Sequence, residues 1–342
     1  GTAAARGILF RGGDVLEAGA RLTLAAFDKT GTLTTGKPQV VALHPVPGVT
    51  EDQLLAWAAM AEAGSNHPLA RGILSAAQAR GIEAGSGGGV RTLPGLGVET
   101  HTPVGLLRVG NRRLLTEAGR LALPDPAPGG TTEVHLALGS DYLGHLLLAD
   151  PLRPEAAATL QSLQRMGLQC TLLTGDNNAA ATRAAISLPL DQAIGELRPA
   201  DKARWVEEAM ARGERVLMVG DGINDAPALS AAAVGCAMAG GTDIALATSD
   251  LVLTKPDLAH LLLALRLARR TLSIIRQNLF WAFAYNLLAL PLAAAGTLAP
   301  IHAAAAMALS SVCVVGNSLR LAKLSGHESR ALAPPLSEKS PC

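Results

Sequence analysis

The chain has 342 residues, 49% of them hydrophobic and 17% charged, with a formal net charge of +1 and a mean hydropathy of +0.28. That length allows two or three domains, the near-neutral charge argues against a nucleic-acid partner, and the hydropathy is high enough to call for membrane segments. Four scattered cysteines (Cys170, Cys236, Cys313 and Cys342) with no CxxC pair argue against a disulfide framework or a cysteine zinc site. The chain opens GTAAARG, without Met and without a signal-peptide pattern, and reads as a piece of a longer protein.

Residues 1–20 contain GILFRGGDVLE, whose Gly pair and charges read as a link into the first strand. The apolar run LTLAAF then predicts a buried parallel strand ending at Asp28. It is followed by DKTGTLT, Asp28 to Thr34, and by a GKP break. From about Val40 to Leu148 the texture changes. A helix is predicted from Thr50, with Glu51 and Asp52 in its first turn and Leu54, Leu55, Ala58 and Ala59 on its apolar face. SNHPLARGILSAAQARG predicts a loop opening into a second amphipathic helix, and GSGGG a flexible stretch. The alternating runs VRTLPGLGVET, VGLLRVG, EVHLALG and YLGHLLLA predict an antiparallel sheet with Gly turns. Residues 39–148 therefore read as an α+β lobe inserted after the first strand.

From Asp150 the pattern alternates strand and helix. DPLRPEAAATLQSLQRMG predicts a helix with Pro154 in its first turn. Strands follow at QCTLLTGD, RVLMVGDGIND, VGCAMA and DLVLT, with helices at NNAAATRAAISL and DKARWVEEAMARG. This predicts a doubly wound parallel α/β sheet. Beyond Lys255 a run without charge extends from Leu279 to Ala299, and a second covers residues 303–319 after a Pro300–Ile301–His302 turn. Two such runs predict a transmembrane helical hairpin over residues 272–323. Arg266, Arg269, Arg270 and Arg276 before it, and Arg320 and Lys323 after it, place both ends in the cytoplasm. Residues 324–342 read as a disordered cytoplasmic tail.

Ligands of open α/β sheets sit at the carboxyl ends of strands, and four loops rich in phosphate-binding chemistry fall there. Asp28 can attack a phosphoryl group and carry it as an aspartyl phosphate. Lys29 adds positive charge, while Thr30, Gly31 and Thr32 offer hydroxyls and backbone N–H groups to a phosphate. Thr174, Gly175 and Asp176 form the second loop. Lys202, ahead of a helix, can neutralise the transferring oxygens together with Thr174. Asp221 in GDGIND, Asp28 and the Thr30 carbonyl can hold one Mg²⁺, an ion that takes oxygen ligands, while Asn224 and Asp225 order the site.

This ordered set resembles the haloacid dehalogenase-like core of P-type ATPases. The resemblance implies a phosphorylation domain at 21–38 and 149–255 and a nucleotide-binding domain at 39–148, with residues 1–20 linking from a membrane helix outside the chain. SNHPLA is similar to the S-E-H-P-L motif of heavy-metal-transporting P-type ATPases, whose His orients adenine, although Asn66 replaces the usual Glu. On that resemblance His67, Glu62, Gly95, Gly97, Gly110 and Asn111 line the ATP pocket. In the hairpin, Tyr285–Asn286 and the M-x-x-S-S run with Met307 and Ser311 resemble the copper-exporting class, and a thioether suits Cu(I). The implied activity is ATP-driven export of Cu(I), with Ag(I) as a second cargo, and the implied cofactors are ATP and Mg²⁺. The implied partners are membrane lipid, a copper chaperone that delivers Cu(I), and an N-terminal half of the pump carrying the C-P-C span and the dephosphorylating lobe. The implied location is a bacterial plasma membrane with the catalytic domains cytoplasmic. The alternatives are a Zn, Cd or Co pump and a soluble phosphohydrolase of the same core. The soluble enzymes usually carry a second Asp two residues after the nucleophile, where this chain has Thr30.

Overall fold

The structure, a computed structural model, describes residues 3–85, 88–119, 123–126, 130–221, 223–239, 248–294, 301, 308 and 310–320. A seven-stranded sheet is built from β1 (Ile8–Phe10), β2 (Leu24–Asp28), β9 (Gln169–Leu173), β10 (Gln192–Ile194), β11 (Val216–Gly220), β12 (Val234–Met238) and β13 (Leu251–Leu253). Their order is β1-β13-β12-β11-β2-β9-β10. β9–β10, β11–β12 and β12–β13 pair in parallel, while β1 runs antiparallel to β13. β2, β11 and β12 are buried at every position, as unbroken apolar runs require when both faces of a sheet are covered.

By contact density the chain divides into residues 1–26, 157–170 and 199–342 as one unit, and 27–156 and 171–198 as the other. The first unit holds α1 (Gly13–Ala20), α7 (Pro199–Ala211), α8 (Ala226–Ala231), α9 (Ala259–Ala294) and nearly all of α5 (Ala156–Arg165). The opening of α9 is anchored by Leu261, Leu263, Leu265, Ala268 and Ile274, all buried.

The second unit contains a six-stranded antiparallel sheet of β3 (Gln39–Pro45), β4 (Val90–Leu93), β5 (Gly97–Thr102), β6 (Gly105–Gly110), β7 (Thr132–Leu138) and β8 (Asp141–Ala149), in the order β3-β8-β7-β6-β5-β4. α2 (Glu51–Glu62) and α3 (Pro68–Ala79) pack on one face through Leu54, Leu55, Ala58 and Ile73 against Leu107, Val109, Leu136 and Leu146. Each fully buried leucine contributes about 2 kcal/mol of transfer free energy. A smaller cluster joins α4 (Arg112–Gly119), through Leu114 and Leu115, to Ala137 of β7. α2 starts where expected, because Thr50 and Gln53 form a capping box. α6 (Asn178–Ser187) follows β9, with Asn177 as its cap.

Several expectations need correction. Residues 1–20, read as a link, contain β1 and α1; a three-residue strand carries no period, and Gly13 and Gly19 weaken the helical signal. The helix after Asp150 starts at Ala156, so Pro154 lies ahead of its first turn. Lys202 sits inside the first turn of α7, because Pro199 already begins that helix. β3 and β10, for which the sequence sets no expectation, complete the two sheets. Among the described residues no helix is long and apolar enough to cross a membrane. α9 continues through the first expected span as far as Ala294, with Pro291 inside it. Residues 295–299 of that span fall outside the described residues, as do 300, 302–307, 309 and 321–342. Residues 310–320 are helical, and Asn317 Nδ2 donates to Asn278 Oδ1 of α9 at 2.9 Å, with Asn278 Nδ2 donating to Ser318 Oγ at 3.1 Å.

Candidate active site

Asp28 closes β2 and is 7% exposed. The next five residues do not continue the strand. Gly31 turns at φ +74°, a left-handed conformation that glycine adopts without cost, and Thr34 N donates back to Lys29 O at 3.1 Å. Gly31 N donates to Thr34 Oγ1 at 3.0 Å, which closes the turn. Lys29 forms an ion pair with Asp176, so the first two predicted loops do meet. Thr32 is fully buried, and its Oγ1 has no hydrogen-bond partner among the described residues.

Two residues that no motif singles out, Asp150 and Arg153, hold this turn. Arg153 donates through Nε to Thr32 O at 2.8 Å and through Nη2 to Gly31 O at 2.9 Å. The Asp150 carboxylate accepts from Thr34 Oγ1 at 2.5 Å, Thr35 Oγ1 at 3.1 Å, Gly36 N at 3.2 Å and Lys37 N at 3.2 Å. Asp150 and Arg153 thus fasten the stretch where the chain leaves β2 to the stretch where it returns from the inserted lobe. The DPLR run carries both side chains, but a hydrophobic pattern gives no sign of partners more than 100 positions away.

At the end of β9, Thr174 is buried and its Oγ1 accepts from Asp176 N at 3.1 Å. Gly175 is exposed, and a Cβ there would lie 3.3 Å from Leu197 O. Asn177 Oδ1 accepts from Ala180 N at 2.8 Å, so Asp176 stands just ahead of a helix N-terminus. A cleft of about 360 Å³ is lined by Lys29, Thr30, Pro68, Asp150, Asp176 and Asn177 among others.

In the other unit, Lys202 Nζ donates to Asp225 Oδ1 at 2.8 Å, and both side chains are buried. Asp221 follows directly on β11 and is half-buried, while Asn224 is exposed.

The residues assigned to a nucleotide pocket fall into two groups. His67 caps α3, its Nδ1 accepting from Leu69 N at 3.2 Å, with Pro68 in the first turn. Burial pushes the Glu62 carboxyl above its ordinary value, opposed by a hydrogen bond with Ser65 and by the charge of His67. In the second group, Gly97 and Gly110 face each other across β5–β6. A Cβ on Gly97 would lie 2.2 Å from Val109 O, and one on Gly110 would lie 2.2 Å from Leu96 O, so strand approach alone demands both glycines. Gly95 turns at φ +73°, and Asn111 pins that turn by donating Nδ2 to Gly95 O at 2.7 Å. Its Oδ1 accepts from Leu114 N at 3.1 Å in the opening of α4. In the expected metal pathway, Asn286 Nδ2 donates to Ala282 O at 3.0 Å, and Ser311 is exposed on the helix of residues 310–320. Met307 and the Tyr285 side chain lie outside the described residues.

The aspartates at the ends of β2 and β11 stand where an open α/β sheet places its ligands. The haloacid dehalogenase-like hydrolase family matches residues 22–233, and the chain belongs to that family. Within it, the chain is similar to heavy-metal P-type ATPases over nearly its whole length. It is 41% identical over 335 residues to a probable copper-transporting ATPase, PacS, of Synechococcus elongatus, covering 94% of this chain and 45% of that protein. It is 40% identical over 338 residues to a probable copper-exporting P-type ATPase V of Mycobacterium tuberculosis, covering 96% of this chain and 44% of that one. The crystal structure of a zinc-transporting PIB-type ATPase in its E2.Pi state superposes with a TM-score of 0.81 at 38% identity, over 94% of this chain and 53% of that one. The catalytic domain of the CPx-ATPase CopB-B superposes with a TM-score of 0.64 at 27% identity, over 77% of this chain and 96% of that domain. The chain thus spans about half the length of the full-length relatives it matches.

Proposed function

We propose that this chain is the catalytic and C-terminal membrane part of a pump that exports Cu(I) at the expense of ATP. The observation that carries the reading is Asp28, buried at the end of a fully covered strand and followed by a turn with no second acid at position 30. An Asp28 carboxylate oxygen attacks the γ-phosphorus, the bond to the bridging oxygen breaks, and ADP leaves with that oxygen. Lys29 and Lys202 lower the charge of the approaching phosphoryl oxygens, and Thr174 offers a hydroxyl to them. Asp176 holds the Lys29 ammonium in place. Asp225 does the same for Lys202. Asp28, Asp221 and the Thr30 carbonyl would supply the hard oxygen donors that Mg²⁺ takes. Bound there, the ion neutralises charge on the transferring phosphate. Without an acid at position 30 to activate water, the aspartyl phosphate is long-lived, as a transport cycle needs.

His67, Glu62 and the turn held by Asn111 take the nucleotide in the inserted lobe. Residues 272–323 form the membrane hairpin; the belt of exposed Leu279, Phe280, Phe283, Leu287 and Leu290 supports this, since a water-facing helix rarely presents so much contiguous apolar surface. The catalytic units lie in the cytoplasm, next to the arginines that precede the hairpin. Asn286, Ser311, Tyr285 and Met307 supply oxygen and sulfur without a carboxylate, which favours a soft monovalent ion over Zn²⁺.

The test is ATP hydrolysis by the longer protein containing this chain, in vesicles, with Cu(I), Ag(I) or Zn(II) added. Stimulation by Cu(I) and Ag(I), lost in Met307→Ala, is expected. Stimulation by Zn(II) alone would move the reading to the divalent pumps, in line with the zinc-transporting structural neighbour.

A further inference from the structure

We infer that the base of α9 carries a binding site for the headgroup of an anionic phospholipid. The inference rests on the reading that α9 enters a membrane.

A cleft of about 400 Å³ lies between Ala20 of α1 and one side of α9, where Arg269, Ser273, Arg276, Gln277 and Trp281 line it. Those five positions fall at i, i+4, i+7, i+8 and i+12 and share a helix face. Arg269 is held by a neutral group, donating Nη1 to Met166 O at 2.7 Å. Glu17, on the same helix as Ala20, is engaged by Arg21 at 2.6 Å. Among the described residues, none of Arg266, Arg269, Arg270 and Arg276 forms an ion pair with a carboxylate. The cleft therefore presents two guanidinium groups whose charge no carboxylate among the described residues compensates.

The chemistry is layered along the helix. Arg269, Ser273, Arg276 and Gln277 offer donors to a phosphate and its ester oxygens. Phe280 and Trp281 come one turn later, packed edge to face with centroids 5.5 Å apart. Beyond them Phe283, Leu287 and Leu290 are 68–76% exposed. Cations, then aromatic rings, then aliphatic surface is the order that a phospholipid presents as phosphate, glycerol ester and acyl chain. A free phosphate would use the arginines but has no use for the aromatic wall. A zwitterionic headgroup brings its own cation and leaves the guanidiniums uncompensated.

The experiment uses the full chain in phosphatidylcholine vesicles, on a Trp57→Phe/Trp205→Phe background that leaves Trp281 as the reporter. Brominated phosphatidylglycerol or brominated phosphatidylcholine is added at equal mole fraction, and quenching of Trp281 is read. Stronger quenching by the phosphatidylglycerol is expected. Its preference should fall roughly fivefold in Arg276→Gln and again by about that factor when Arg269→Gln is added. Arg276 is exposed, so its variant tests the site without disturbing the Arg269 anchor on Met166. Equal quenching by both lipids would overturn the headgroup site while leaving membrane entry intact. Quenching by neither would overturn the membrane reading and the inference with it. Displacement of brominated phosphatidylglycerol by millimolar inorganic phosphate would make this an adventitious anion site and overturn the lipid assignment.

Discussion

Lys202 Nζ and Asp225 Oδ1 stand 2.8 Å apart, with side chains only 7% and 3% exposed. A buried pair of this kind adds little net stability, because both charges are stripped of water. Removing one partner alone, however, costs about 3–5 kcal/mol, since the other charge stays buried and unpaired. Lys202→Met should lower unfolding stability by that amount in urea titrations. The Lys202→Met/Asp225→Leu double variant should recover much of it while remaining inactive. A single variant as stable as the wild type would mean that water already reaches the pair.

Asp150 makes four contacts to residues 34–37. Asp150→Ala should lose about 2 kcal/mol, the usual scale for hydrogen bonds to a charged acceptor. Differential scanning calorimetry would show the loss. Hydrogen exchange should locate the loosening at the N–H groups of Gly36 and Lys37, and unchanged protection there would contradict the fastening role.

The contrast between these two pairs shows what the sequence could convey. LTLAAF and RVLMVG announced their strands because both faces are buried, and an unbroken apolar run has few other uses. DKTGTLT announced chemistry because hydroxyls, glycine and charge crowd the end of such a run. Asp150 and Arg153 give no local signal because their partners lie more than 100 residues away, which no local pattern encodes. The resemblance assigns Gly97 and Gly110 to the ATP pocket, and the close approach of β5 and β6 by itself requires glycine at both. β10 and β1 escaped because three residues cannot display a period.

The six-stranded sheet carries a line of imidazoles across three strands, with His44 opposite His145 and His145 opposite His135. Tyr142 Oη lies 3.0 Å from His135 Nδ1 and 3.1 Å from His145 Nδ1, and His135 Nε2 lies 3.0 Å from Glu133. Burial pushes both His135 and His145 below the ordinary value of 6.5, and it raises the Tyr142 hydroxyl to about 12. A histidine with a depressed folded value leaves stability untouched above pH 6.5, where both states are neutral. Below it the unfolded chain takes up protons that the folded lobe refuses. Stability should therefore fall as pH drops from about 6.5 toward 5, and His135→Gln should make that fall shallower. Urea midpoints at half-unit steps between pH 5 and 8 would check it, and parallel curves for the two proteins would contradict it.

In the proposed cycle Asp28 becomes a phosphoaspartate. The most direct measurement is incorporation of label from γ-labelled ATP with Mg²⁺ into the full chain, quenched in acid and then treated with hydroxylamine. An acid-stable band that hydroxylamine removes is expected, with no band in Asp28→Asn. Undiminished labelling of Asp28→Asn would contradict it.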